Sequence, residues 1–220
     1  DTLPLSVILT RQYIITVCLE ETSVISSFNE RTARLFHTYK KTQFLFEILY
    51  RSATFYLRYL RQINKLSEEI EDQLRESMRN NDILRLMELQ KGLTYFNASL
   101  RSNDAVLDKL LRIRTSRTLE GILDIYEEDE ELLEDVIIEN KQAREMVEMY
   151  SQILSQMADI FSSIIANNQN MVMKFLAAVT IVIAVPTVIA SFFGMNVPVP
   201  FEGNVYGFAA VIVIATVASA

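Results

Sequence analysis

The chain has 220 residues, 50% of them hydrophobic, and a formal net charge of −7. An acidic balance without a concentrated Lys/Arg face excludes a general nucleic-acid binder, because phosphate neutralisation demands such a face. A single cysteine, Cys18, excludes an intrachain disulfide framework and a thiolate metal cluster, and a single histidine, His37, leaves no His-based zinc or catalytic set.

Residues 1–10 have neither a basic start nor the uninterrupted apolar core of a secretory signal. Two runs rich in Val, Ile and Thr follow, Leu5 to Leu9 and Tyr13 to Cys18, separated by Arg11 and Gln12, and read as paired strands. An isolated hairpin is marginal in water, so residues 1–20 are expected to belong to a sheet whose other strands lie upstream. Residues 21–120 are expected to be cytoplasmic helices. From Ser27 to Asn81 there is neither proline nor glycine, which predicts one long helix or two nearly continuous ones. Its aromatics Phe44, Phe46, Tyr50, Phe55, Tyr56 and Tyr59, interleaved with Arg51, Arg58 and Arg61, read as core with a solvated rim rather than a base-stacking platform. Asn80-Asn81-Asp82 reads as a turn with Asp82 as N-cap of a helix to about Arg114, closing a helical hairpin.

Between Asp124 and Phe193 there is no glycine and Pro186 is the only proline, so the spacing predicts a single helix of roughly 70 residues, about 105 Å long. Leu132, Val136, Glu139, Ala143, Met146, Tyr150, Ile153, Met157, Ile160 and Ile164 alternate steps of four and three, the pattern of a packing seam. A second stripe keeps this rhythm with small or polar residues: Asp159, Ser163, Ala166, Asn170, Met173, Ala177, Thr180, Ala184, Thr187 and Ser191. Such a stripe serves either close helix packing or a water-filled pathway shared by symmetric copies.

After Lys174 the only charged residue is Glu202, and residues 171–193 match the roughly 30 Å hydrocarbon core of a bilayer, which predicts a first transmembrane helix. Residues 194–205 hold two glycines and two prolines and read as a short external loop. Residues 206–220 form a second apolar run, expected to be a truncated second transmembrane helix. Lys141, Arg144 and Lys174 flank the first span and the loop has no Lys or Arg, so the N-terminal body is expected in the cytoplasm of a multi-pass cell-membrane protein. The fold class is therefore mainly α: a long stalk helix continuing into the first of two membrane helices. No nucleophile with its base and no phosphate loop is visible, so no enzyme is expected.

At the outer end of the long helix stand Ser191-Phe192-Phe193-Gly194-Met195-Asn196. Gly-Met-Asn after the first of two membrane spans resembles the CorA family of magnesium channels, and Met173-Lys174, Pro186-Thr187 and the acidic run from Tyr126 to Glu139 resemble it as well. The resemblance covers essentially the whole chain, and it implies that the strand pair of residues 1–20 ends the family's cytoplasmic α/β domain. It implies a homopentamer in a lipid bilayer that passes Mg2+, with Co2+ and Ni2+ as further candidates, and binds no nucleic acid. By the same resemblance Gly194, Met195 and Asn196 form the selectivity filter. Thr187, Thr180 and Asn170 are polar rungs of the pore, Ala177, Ala184 and Ser191 share their face, and Met173 and Leu176 form an apolar constriction. Asp159 is a carboxylate ring, and Asp135 belongs to a regulatory Mg2+ site between subunits whose occupancy holds the assembly closed. Read from its neighbours alone, Asp135 is equally a solvated acid among Glu130, Glu131, Glu134 and Glu139. Phe193 stands where the family commonly has tyrosine, Glu202 is the loop's only acid, and the family's basic C-terminal tail is absent. A zinc-transporting relative of the same fold and a membrane-anchored coiled-coil scaffold are the alternatives.

Overall fold

The computed structural model describes residues 2–34, 36–77, 80–114, 123, 125–196, 198–201 and 203–219. The chain divides into two compact units, Asp1–Phe161 and Ser162–Ala220.

In the first unit, β1 (Leu5–Leu9) and β2 (Ile14–Cys18) pair antiparallel, with Leu5 opposite Cys18 and Leu9 opposite Ile14. Their turn is built by Thr10, whose hydroxyl accepts from the Tyr13 N–H at 2.8 Å and donates to the Tyr13 carbonyl at 3.0 Å. The Lys41 ammonium donates to the Thr10 and Arg11 carbonyls at 3.1 and 2.7 Å, tying this turn to the start of a long helix.

The expected helix from Ser27 is corrected by the structure. A four-residue helix, α1 (Ser23–Ser26), is capped by Thr22, and the next regular element is α2 (Lys41–Ser77). Between them, side chains take the backbone groups that a helix would use: Asn29 Oδ1 accepts from the Arg31 N–H at 3.0 Å, and the Thr32 hydroxyl donates to the Ser27 carbonyl at 2.7 Å. The fold-back also assembles Phe28, Phe36 and Phe44, with Phe28 centred 5.0 Å from each of the other two rings. Arg51 caps the cluster, its guanidinium 4.0 Å from the Phe28 ring centre and donating to the Ser27 carbonyl at 2.8 Å.

Helix α3 (Asn80–Arg114) returns along α2. Two side-chain pairs fix the antiparallel sense: Tyr56 meets Phe96 edge-on at 5.1 Å, and Arg85 donates to Gln73 at 2.9 Å. Burial in this contact pushes the Tyr56 phenol above its usual range, against the opposing effect of a hydrogen bond with Ser99. Because α3 already begins at Asn80, Asp82 lies inside its first turn rather than capping it, where a carboxylate is favoured by the unpaired N–H groups. The expected end of the helical region, residues 115–120, lies outside the described residues.

Helix α4 (Glu127–Phe193) starts where Asp129 Oδ2 accepts from the Tyr126 N–H at 3.0 Å. Its first part packs on the hairpin through Leu133 and Val136, which join Leu45, Phe46, Leu107, Leu110 and Leu123 in one apolar cluster. The buried residues of α4 are Asp129, Leu133, Val136, Asn140, Ala143, Val147, Leu154, Met157 and Phe161. The seam expected from spacing shares only Val136, Ala143 and Met157 with these; elsewhere the packed face lies one residue further on. Two neighbouring apolar stripes run along this helix, and heptad counting does not choose between them. The expected seam is left open where it diverges near its end, with Ile153 and Ile160 at 39% and 57% exposure.

A polar set interrupts the buried face. The Asn140 amide, 2% exposed, donates to the Leu100 carbonyl at 3.2 Å and to Asp104 Oδ1 at 2.5 Å, while Arg144 donates to Asp104 Oδ2 at 2.5 Å. Polar contacts of this kind fix the register in which two helices meet.

The second unit comprises the remainder of α4, a loop and α5 (Gly207–Ser219). At 13 residues, α5 is about 20 Å long, below the roughly 30 Å of a bilayer core.

Candidate ion pathway

Within the second unit, the expected pathway residues Asn170, Met173, Leu176, Ala177, Thr180, Ala184, Thr187 and Ser191 all lie on α4 and all are exposed in the single chain. Thr180, Thr187 and Ser191 donate their hydroxyl hydrogens to the carbonyls of Leu176, Ile183 and Thr187, each at 2.8 Å. This back-bonding to the preceding turn is how a helix accommodates hydroxyls without polar neighbours. Its chemical result is directional: the donor is spent, and the oxygen lone pairs remain available to a hydrogen-bond donor.

The helix closes at Gly-Met-Asn. The Gly194 N–H donates to the Ala190 carbonyl at 2.9 Å, and the Met195 N–H reaches Phe192 only at 3.4 Å, so the ladder frays there. A β-carbon at Gly194 would sit 3.2 Å from the Ala190 carbonyl oxygen, a crowded approach that glycine avoids. Asn196 follows immediately and is exposed.

The loop beyond braces itself. Phe201 and Gly203 adopt positive φ (75° and 79°), the Asn204 side chain accepts from the Tyr206 N–H at 3.0 Å, and the Gly207 N–H donates to the Asn204 carbonyl at 2.9 Å. A β-carbon on Gly207 would fall 2.8 Å from the Phe201 carbonyl oxygen, so only glycine lets α5 start against this turn. Ala190, Phe193, Gly194, Pro200, Phe201 and Phe208 are among the residues around a shallow recess of about 370 Å³. Glu202 lies outside the described residues.

In the first unit, Asp135 is exposed on α4 and lines an open recess of about 390 Å³ with His37, Glu47, Glu128 and Glu131. Glu47 is engaged by Arg51 at 2.8 Å. Among the described residues no three His, Cys, Asp or Glu side chains are grouped to hold a metal ion, so Asp135 does not sit in a ready-made site within one chain. Asp159 is exposed on the same helix. The Asp104, Asn140 and Arg144 set was missed from sequence because its members lie on two helices, and no spacing rule connects them.

Among the described residues α4 is the one helix long and apolar enough to cross a membrane, and none of that apolar stretch is buried within the chain. This helix carries the hydroxyl-bearing face and ends at Gly-Met-Asn. The model of the CorA-like Mg2+ transporter protein family matches residues 1–220, and the chain belongs to that family. It is 33% identical over 165 residues to the cobalt/magnesium transport protein CorA of Methanocaldococcus jannaschii, an alignment covering 74% of this chain and 50% of the relative. The chain thus spans about half the length of that curated relative. The complete structure of the CorA magnesium transporter from Methanocaldococcus jannaschii is similar with a TM-score of 0.77 at 28% identity, covering 94% of this chain and 64% of that one. The soluble domain of CorA from the same organism is similar in fold, with a TM-score of 0.55 at 22% identity over 73% of this chain and 68% of that one.

Proposed function

We propose that this chain is the membrane-proximal part of a homopentameric channel for passive uptake of Mg2+, with Co2+ and Ni2+ as further candidates. In this reading α4 carries the first membrane span and α5 belongs to a second. The body before them lies in the cytoplasm of a cell-membrane protein, and residues 194–205 face outward. The observation that carries it is the row of back-bonded hydroxyls at Thr180, Thr187 and Ser191, leading to an exposed Asn196. Mg2+ dehydrates reluctantly and travels with waters whose hydrogens point away from the ion, so a wall of free lone pairs fits the hydrated cation. Asn196 oxygens at the mouth would bind the same water shell without the full charge of a carboxylate, which keeps binding weak enough to release.

Met173 and Leu176 then form an apolar narrowing that gates by excluding water, and Asp159 draws cations toward the axis. Regulation by cytoplasmic Mg2+ at Asp135 is supported by its exposure on α4 beside Glu128 and Glu131, acids that a second copy could complete. An ion held there needs acids from a second copy, so its occupancy joins subunits that would otherwise repel. The test is Mg2+ uptake by purified protein in vesicles: Asn196→Ala is expected to lower it by about tenfold or more. Uptake equal to that of the unaltered protein would refute the filter.

A further inference from the structure

Aromatic side chains of the apolar stretch of α4 are confined to its two ends. Phe175 lies near the beginning of the apolar stretch, beside Lys174, and Phe192 and Phe193 lie at its close; residues 176–191 contain no aromatic. Phe175 and Phe192 are separated by about 26 Å along the helix, close to the roughly 30 Å thickness of a hydrocarbon core. Helix α5 carries Phe208 in its first turn and no aromatic from 209 to 220. The loop adds Tyr206, the only tyrosine after Tyr150.

These rings are uncovered. Phe192 is 63% exposed, Tyr206 78% and Phe208 79%, with Val205 beside them at 91%. The loop that leads to Tyr206 is braced by its own hydrogen bonds, the Asn204 side chain accepting from the Tyr206 N–H and the Asn204 carbonyl from the Gly207 N–H. Tyr206 and Phe208 also leave the start of α5 about 200° apart, at roughly 100° per residue, so they cover more than one side.

We infer that Phe192, Tyr206 and Phe208 form an interfacial collar that seats the Gly-Met-Asn turn at the level of the lipid headgroups. The rings lie against the upper acyl chains and the Tyr206 phenol hydrogen-bonds to glycerol ester or phosphate oxygens, the placement that favours aromatic belts in membranes. Depth of the loop is then set by lipid contact and not by loop charge. This inference rests on the reading that α4 spans a bilayer.

The chain contains no tryptophan, so one introduced tryptophan reports on one position. Tyr206→Trp and, separately, Val182→Trp in mid-span are reconstituted in phosphatidylcholine vesicles whose acyl chains carry bromine either near the glycerol or near the methyl end. Tyr206→Trp is expected to be quenched roughly twofold more strongly by bromine near the glycerol, and Val182→Trp more strongly by bromine near the methyl end. Should Tyr206→Trp respond to aqueous iodide and to neither lipid, or be shielded from all three, the collar is overturned while deep quenching of Val182→Trp leaves the span standing. If Val182→Trp responds to aqueous iodide and to neither lipid, the span fails and the collar with it.

Discussion

Asp104 joins the hairpin to the long helix with both carboxylate oxygens, one toward Asn140 and one toward Arg144. Removing it leaves a buried amide hydrogen without its acceptor and a guanidinium without its counter-charge. Side-chain exposure of 34% for Arg144 and 27% for Asp104 weakens the ionic part through solvent screening, so the loss is set mainly by the desolvated amide. Asp104→Ala is expected to cost about 2 kcal/mol, read as a lower denaturant midpoint in mild detergent, and Asp104→Asn, which keeps an acceptor for Asn140, to cost less. Equal midpoints for all three proteins would show that this contact contributes nothing. Asn196 illustrates the opposite case: it is exposed, makes no contribution to packing, and its substitution should alter transport without altering stability.

At the scale of the element, α4 carries two apolar stripes that share some residues and elsewhere lie one residue apart, and toward residue 160 the fold buries only one. Leu154 is 2% exposed, whereas Ile160 is 57% exposed. Leu154→Gln places an unpaired amide in the packed face and is expected to lower stability by about 3 kcal/mol. Ile160→Gln is expected to leave the unfolding midpoint of the chain unchanged and to reduce the oligomer mass measured by light scattering in detergent, because its stripe is free for a second copy. A wild-type oligomer mass for Ile160→Gln would remove that stripe from the assembly.

For the whole molecule, the proposed channel needs no chemical energy source. A divalent ion entering a negative interior gains about 4.6 kcal/mol per 100 mV, twice the roughly 2.3 kcal/mol of a single charge. Mg2+ uptake into vesicles should therefore rise when an inside-negative potassium diffusion potential is imposed and fall when it is reversed. Uptake indifferent to potential would exclude a passive conductive route. The acids that crowd positions 20–148 belong to the body before the span, where they raise the local concentration of cations and keep a helical surface soluble.

Much of this was legible from residues alone. The strand pair, the end of α3 at Arg114 and the end of α4 at Phe193 follow from β-branched runs, turn residues and the placing of glycine and proline, all of which act within a few residues along the chain. The apolar stretch and its Gly-Met-Asn end are likewise local, and they sufficed for the family. Other features depended on partners remote in sequence. Ser27 to Lys40 has helical composition yet folds back, because Arg51 and Phe44 reward that path. Which stripe of α4 is buried was chosen by Leu45, Phe46 and Leu107, and Asn140 is tolerated inside that face because Leu100 and Asp104 lie across from it. Periodicity announces that a helix has a face to bury; contacts with side chains tens of residues away choose the face, since burial is a property of pairs of surfaces and not of either alone.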